Sequence, residues 1–385
     1  MGDHSNMSAL PEKDSGATMS VPELAAIAAS RPEFEHAPRI WSDVLVPELG
    51  RREADRKACI GRAIRNSIIA AASVLVIFIV LSVTGVIQGL MFNFPLMFFT
   101  MMVAVALFAG VAWGRVFNMK SQTKQLVLSA ACTPLGFRYD TLHPDLGGVE
   151  DLRSLGGRLS EWMKYHNSGG GPKVQTPFGD FETFNGDVAP SPAYEILKAA
   201  GLLRGHSKRR FEDLITGERA GAKFALVEAK LATGGKNSTT VFEGILVHIE
   251  YPERFLGRTL MARSGWWKRG RKTAGLKKVD LISKELQRAF TVYSTDQVEA
   301  RELLSPDRME RLIALERHFS GGKLRGVFED GHMSLALEAG DQFEAGSIFK
   351  PLVDASRFTS ALTELGLVCD LIDGFLTRDW VKGRL

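Results

Sequence analysis

Charge is missing where a soluble chain would carry it. Between Arg65 and Arg115 lie 49 residues with no charged side chain, in a sequence that is 24% charged. That gap excludes an ordinary water-facing segment. Cysteine is also scarce: Cys59, Cys132 and Cys369 are far apart and form no CxxC pair. A sparse, odd count excludes a disulfide framework and fits a reducing compartment. Cys59 lies next to the membrane, where lipidation occurs in eukaryotes, but a plain free thiol is the favoured reading. The net charge of +4 over 385 residues is too small for a global nucleic-acid binder.

Catalytic signatures are equally absent. Neither "GGGPK" nor "TGGKNST" has the GxxxxGK[ST] spacing that wraps a phosphate. No HExxH occurs, and the eight histidines show no two-ligand helix spacing, so no metal or other cofactor is expected. Gly205-His206-Ser207 starts like a nucleophile elbow, but Arg209 replaces the closing glycine. The acid pairs Glu329-Asp330 and Asp370 with Asp373 sit at turn and helix-end positions, where capping explains them.

What fills the gap is two apolar runs. A bilayer core of about 30 Å needs about 20 apolar residues per helix, and residues 66–114 fit a hairpin with spans near 67–87 and 94–113. Arg51, Arg52, Arg56, Lys57, Arg62 and Arg65 precede the first span; Arg115, Lys120 and Lys124 follow the second. The turn around Asn93 and Pro95 carries no base, so the positive-inside rule places both ends in the cytoplasm. About 60 mostly polar residues precede the first run, which argues against a secretory leader. Ala106, Gly110 and Gly114 share one face of the second span, and Gly85 and Gly89 repeat the spacing. Such faces pack the hairpin on itself or join two copies as a homo-oligomer.

The remaining regions read as follows. Residues 1–36 form an irregular tail with one short helix at "VPELAAIAAS". Residues 37–65 are a basic juxtamembrane segment, whose Ile40, Trp41, Val44, Leu45 and Leu49 suit an interfacial helix or a simple stem. Residues 115–385 form a cytoplasmic domain that opens with a helix continuing the second span. Leu152–Tyr165 reads as a short helix and 166–193 as a Gly/Pro-rich loop punctuated by Phe178, Phe181 and Phe184. "AGAKFALVEAKLAT" and "STTVFEGILVHIEYP" pattern as a hairpin, and "GRTLMAR" and "FTVYS" as further strands. "DQVEARELL" is helical, another helix starts at Ser305-Pro306-Asp307 with Ser305 as cap and Pro306 in the first turn, and Asp330-Gly331 marks a tight hairpin tip. A last helix is expected over 349–365. The fold class is α+β: a two-span helical hairpin, then an antiparallel sheet with packed helices.

One cluster carries chemistry. Trp266, Trp267, Lys268, Arg269, Arg271 and Lys272 sit in "RTLMARSGWWKRGRKTAGLKK", which holds no acid. Near an anionic leaflet each base contributes about 1 kcal/mol, so contact with membrane lipid is one reading. Nucleic acid is disfavoured, and a solvated tip with inward tryptophans is the third reading.

The segments "GERAGAKFALVEAKL", "VFEGILVHIE", "VYSTDQVEARELLSPDRMERL" and "MSLALEAGDQFEAG", after two spans, resemble the bacterial domain-of-unknown-function family numbered 3137. The resemblance covers about residues 115–365 and assigns no catalytic or binding residue. It implies a bacterial inner-membrane protein with a cytoplasmic domain, and a LemA-like membrane protein as partner. The expected function is a membrane-anchored interaction or scaffold protein. The alternative is a membrane-bound enzyme whose site gathers distant residues such as Glu299, Arg301 and His318.

Overall fold

The computed structural model describes residues 21–83, 94–142, 173–182, 189–235, 238–252, 254, 257–264, 266, 275–319, 322–340, 343 and 346–376. Helix α1 (Val21–Ser30) and a 3-10 turn (Pro32–Phe34) lead into a nearly unbroken helical run. It comprises α2 (Ala37–Ile40), a π-turn (Trp41–Leu45) and α3 (Val46–Val83). Helix α4 (Phe94–Cys132) packs along α3, with Trp113 Nε1 donating to Ser67 Oγ at 3.2 Å. It ends in a 3-10 turn (Thr133–Leu135) and a left-handed Gly136.

The domain is built on a nine-stranded sheet in the order β1-β4-β5-β6-β11-β10-β7-β9-β8, every pair antiparallel. From one edge these are β1 (Arg138–Thr141), β4 (Lys208–Arg219), β5 (Ala222–Ala232) and β6 (Thr240–Glu250). Then come β11 (His332–Glu338), β10 (Gly322–Glu329), β7 (Thr259–Arg263), β9 (Phe290–Ser294) and β8 (Lys277–Val279). β2 (Lys173–Thr176) and β3 (Gly179–Glu182) form a separate hairpin. The central strands are covered on both faces, so β6 reads as a nearly continuous apolar run rather than an alternating one. Gly244 on β6 is obligatory. At φ +152 a Cβ there would lie 2.1 Å from the Leu337 carbonyl on β11.

Helices cover both faces. On one side α1, the first half of the α2–α3 run and the end of α4 pack with α8 (Pro306–His318) and α9 (Ser356–Leu376). On the other, α5 (Pro192–Ala199), Val174 and Phe178 of the small hairpin, and Trp266 close a second core. Two short helices, α6 (Lys284–Ala289) and α7 (Gln297–Leu303), flank β9. Asp296 caps α7 by accepting from the amides of Val298 and Glu299.

The architecture is α+β, with the hairpins at β5–β6 and β10–β11 where the turn chemistry predicts them. At the second tip Asp330 and Gly331 both have positive φ, 50° and 82°. Five expectations need correction. Residues 21–36 are not all irregular tail: Leu24 and Phe34 are buried in the main core, and Arg31 pairs with Asp370 across 339 residues. Trp41, Leu45 and Leu49 face the domain rather than lipid, and Trp41 stacks on Phe358 at 6.3 Å. The loop expected over 166–193 contains the β2–β3 hairpin and the start of α5. Ser305 occupies the N-cap position of α8, but its side chain makes no capping bond. The last helix begins at Ser356, not near 349, and runs on to Leu376. Pro351 cannot supply an interior helical N–H, which leaves 346–355 as loop. The helix expected over 152–165 lies outside the described residues.

Candidate functional site at the root of the helix pair

The α2–α3 run changes character along its length. Up to Arg56 it is docked: Leu45 and Leu49 are fully buried, and Arg56 is 6% exposed. Beyond Ala63 the large apolar side chains face outward. Ile68 is 63% exposed, and Ile69, Leu75, Val76, Ile77, Ile79 and Val80 are exposed as well. Among the described residues one helical run, Pro32–Ile77, is long and apolar enough to cross a membrane by length and composition. The other expected span falls in α4, where Phe99 and Met102 are also exposed. Ala106, Gly110 and Gly114 all lie on α4, and Gly114 is buried. Gly85 and Gly89 are outside the described residues.

A polar clamp holds the docked half. Arg56 Nη1 donates to the Ile348 carbonyl at 2.9 Å while its other nitrogens grip Glu53. Glu53 in turn accepts from the Leu352 amide at 3.0 Å. These two bonds hold Glu53 below the usual carboxylate range, the Arg56 bond contributing most. From the α9 side, Arg357 Nη2 donates to the carbonyls of Ser347 (2.7 Å) and Pro351 (3.2 Å). Burial lowers the Arg357 guanidinium from its ordinary value. Loop 346–355 is thus fixed from both sides.

A second polar seam joins α4 to the sheet edge. Lys124 Nζ lies 2.6 Å from Asp213, which is buried and also accepts from the Tyr139 hydroxyl at 2.7 Å. Burial, reinforced by Asp213, pushes the Tyr139 hydroxyl strongly up, so it stays a donor. Nearby, a cleft of about 430 Å³ opens between α1, α8 and α9, lined by Glu23, Ile27, His318, Thr359, Thr363 and Glu364. One Glu364 oxygen is buried without a hydrogen-bond partner. Burial pushes this carboxyl up to about 7, opposed by the Phe343 amide and Lys124. Burial also lowers His318.

On the opposite face of the sheet His248 stacks on His332 at 5.1 Å, and Phe178 meets its ring edge-on at 4.8 Å. His248 Nδ1 is hydrogen-bonded to Ser334 Oγ at 2.8 Å. Burial, then the neighbouring His332, pull His248 down to about 3, so it is neutral at physiological pH. The described residues contain no group of three His, Cys, Asp or Glu arranged to hold a metal. Cys59, Cys132 and Cys369 are free and buried, and burial raises the thiols of Cys132 and Cys369 to about 12.

Sequence reasoning missed the residue that organises the tryptophan region. Arg325 is completely buried, with its guanidinium 4.4 Å from the Trp266 ring and 5.2 Å from Phe242. It donates to the carbonyls of Leu202 and Lys323 and pairs with Glu338 at 3.1 Å. Burial lowers it to about 10. Trp266 is therefore half-buried over a buried cation. Trp267, Lys268, Arg269, Arg271 and Lys272 lie outside the described residues. The one available signal was an arginine inside an apolar strand, "KLRGVFE".

The residues of the enzyme alternative have separate employments. Glu299 is buried and accepts the Gly257 amide at 2.6 Å, Arg301 donates to the Asp280 carbonyl, and His318 lines the α1–α9 cleft. The acid pairs are ion-pair partners: Glu329 with Arg258, Asp330 with Arg254, Asp370 with Arg31 and Asp373 with Arg219.

Fold and site together define an α+β protein whose antiparallel sheet domain grips the root of a long, outward-apolar helix. Residues 240–376 match the family described as Protein of unknown function (DUF3137). The match runs from β6 to the end of α9, and so includes loop 346–355 but not α3 or α4. No curated protein matches the chain. Among solved structures, the crystal structure of the mycobacterial trehalose monomycolate transport factor A, TtfA, aligns at 12% identity over 57% of this chain and 95% of that one. Its TM-score is 0.26, too low to carry an argument.

Proposed function

We propose that this is a membrane-anchored interaction protein: α3 and α4 span a bacterial inner membrane as a hairpin, and the sheet domain faces the cytoplasm with both termini. One observation carries the reading. Ile68, Ile69, Leu75, Val76, Ile77, Ile79 and Val80 of α3 are exposed, whereas Ala37, Trp41, Leu45 and Leu49 earlier in the same run are buried in protein. Leaving such a stripe in water is costly, at about 25 cal/mol per Å² of apolar surface. The base-free turn and the flanking arginines support the orientation. The docked root supports a rigid mount, which suits presentation of a domain surface to a partner. A LemA-like membrane protein is the partner implied by the family resemblance; the Ala106, Gly110 and Gly114 face packs the hairpin on itself, which the burial of Gly114 supports, with a homo-oligomer as the alternative. The anionic-lipid role of the 266–272 cluster rests, after the placement of Trp266, on Trp267 and the four bases.

The test is purification of the native complex from membranes in mild detergent, followed by mass spectrometry. A stoichiometric membrane-protein partner or a homo-oligomer is the expected result. A lone monomer retaining a small molecule would favour the enzyme alternative. A chain found only in the soluble fraction would overturn the anchor.

A further inference from the structure

Loop 346–355 contains a contradiction that the membrane reading resolves. Ile348 and Leu352 are buried on either side, the backbone is clamped by Glu53, Arg56 and Arg357, and yet Phe349 is 62% exposed. A clamped turn does not expose a phenyl ring for want of order: the Lys350 amide donates to Ser347 O at 3.1 Å, and the Phe349 amide to Ser347 Oγ at 3.3 Å. A single exposed Phe is unremarkable on a soluble surface; the position of this one is what matters. Its ring meets Trp113 at 6.0 Å, edge-on at 61°. Trp113 is anchored to Ser67, at the level where the exposed apolar stripe of α3 begins. Phe117, one turn further along α4, is 61% exposed. Arg65, Arg115 and Lys350 are exposed at the same end.

We propose that the 347–351 turn is a membrane-interface wedge. Phe349 enters the boundary between headgroups and acyl chains beside Trp113, and Lys350 reaches lipid phosphate. The indole of Trp113 prefers this zone because its body is apolar and its N–H polar, and the wholly apolar ring of Phe349 gains by leaving water for the acyl boundary beside it. Bases beside it gain attraction to anionic headgroups. The wedge gives the domain a third point of contact beside its two helices, which fixes its tilt over the bilayer. The continuity of Phe349 with the α3–α4 apolar surface selects lipid as the occupant. The clamp explains why the ring can be held out: the entropy of ordering the turn is met within the protein.

The inference rests on the spanning reading of α3, and the test separates the two. Nitroxide labels are placed singly at Phe349→Cys, Ile77→Cys and Val298→Cys in the full chain, reconstituted in nanodiscs containing phosphatidylglycerol. Val298 is exposed on α7 at the β8 edge of the sheet and reports water. The native cysteines are buried and stay unlabelled. Collision with a water-soluble nickel chelate and with oxygen is then measured. The expected result is severalfold less nickel contact and more oxygen contact at 349 than at 298, intermediate between 298 and 77. A label at 349 that behaves like 298 while 77 is protected overturns the wedge and leaves the anchor standing. Nickel contact at 77 equal to that at 298 overturns the anchor, and the wedge with it.

Discussion

The helical run from Ala37 to Val83 has two halves that obey opposite rules. Leu45 and Leu49 are buried against protein; Ile68, Leu75 and Ile77 face outward. The residue types are alike, so hydrophobicity alone does not distinguish them. Charge does. The first half carries acids and bases every few positions, which leaves a narrow apolar stripe for the domain. The second half carries none and is apolar all round, which in a helix denotes burial in something. For the first half that something is the α8–α9 side of the sheet domain; for the second it is proposed to be lipid.

The sharpest way to break this comparison is to truncate one leucine from each half. Leu45→Ala removes a fully buried side chain and is expected to cost about 2–5 kcal/mol, read as a lower unfolding midpoint in detergent. Leu75→Ala, by the same measurement, is expected to change stability by less than about 0.5 kcal/mol. Equal losses would refute the division.

Loosening the clamp comes next. Arg56→Ala leaves the Ile348 carbonyl and Glu53 without their guanidinium partner. A loss of about 1–3 kcal/mol is expected, together with faster amide exchange across 346–355. No change in exchange there would show that Glu53 and Arg357 fix the loop without Arg56.

A smaller effect with a definite sign concerns Glu364. Its folded value near 7 lies above the ordinary 4.5. Its contribution is therefore most favourable below about pH 4.5, declines as pH rises toward 7 and is flat above. Glu364→Gln is expected to be more stable than wild type by roughly 1–2 kcal/mol at pH 8, with the difference vanishing near pH 4. Glu23, His318 and Lys124 face or approach the same carboxyl and bear on the exact profile. Destabilisation at pH 8 would mean that the buried oxygen has a partner.

Much of the sheet was legible because local chemistry and tertiary context agree there. Asp330-Gly331 marks its hairpin, and the β-branched and aromatic run of β6 marks a buried strand. β4 was not legible: Lys208, Arg209, Arg210, Glu212 and Asp213 mask its alternation, and a register shift between Phe211 and Leu214 breaks it. Loop 346–355 misled for a different reason. Phe349 and Leu352 mimic a helical period, but one side chain faces outward and the other the core. The clamp itself was unreadable, since Arg56 and Ile348 are 292 residues apart. The inward turn of Trp266 likewise depends on Arg325, which a strand pattern does not flag as buried.

The central claim is that the environment of the run changes from protein to lipid just beyond Arg65. It is tested most directly by single cysteines from Ile64 to Val80, challenged in native membranes with a membrane-impermeant maleimide. A thiol reacts only where water lets it ionise. The account predicts labelling at Ile64 and protection at every outward position from Ile68 to Val80, lost when detergent replaces the bilayer with denaturant present. Uniform labelling along the outward face in intact membranes would contradict it.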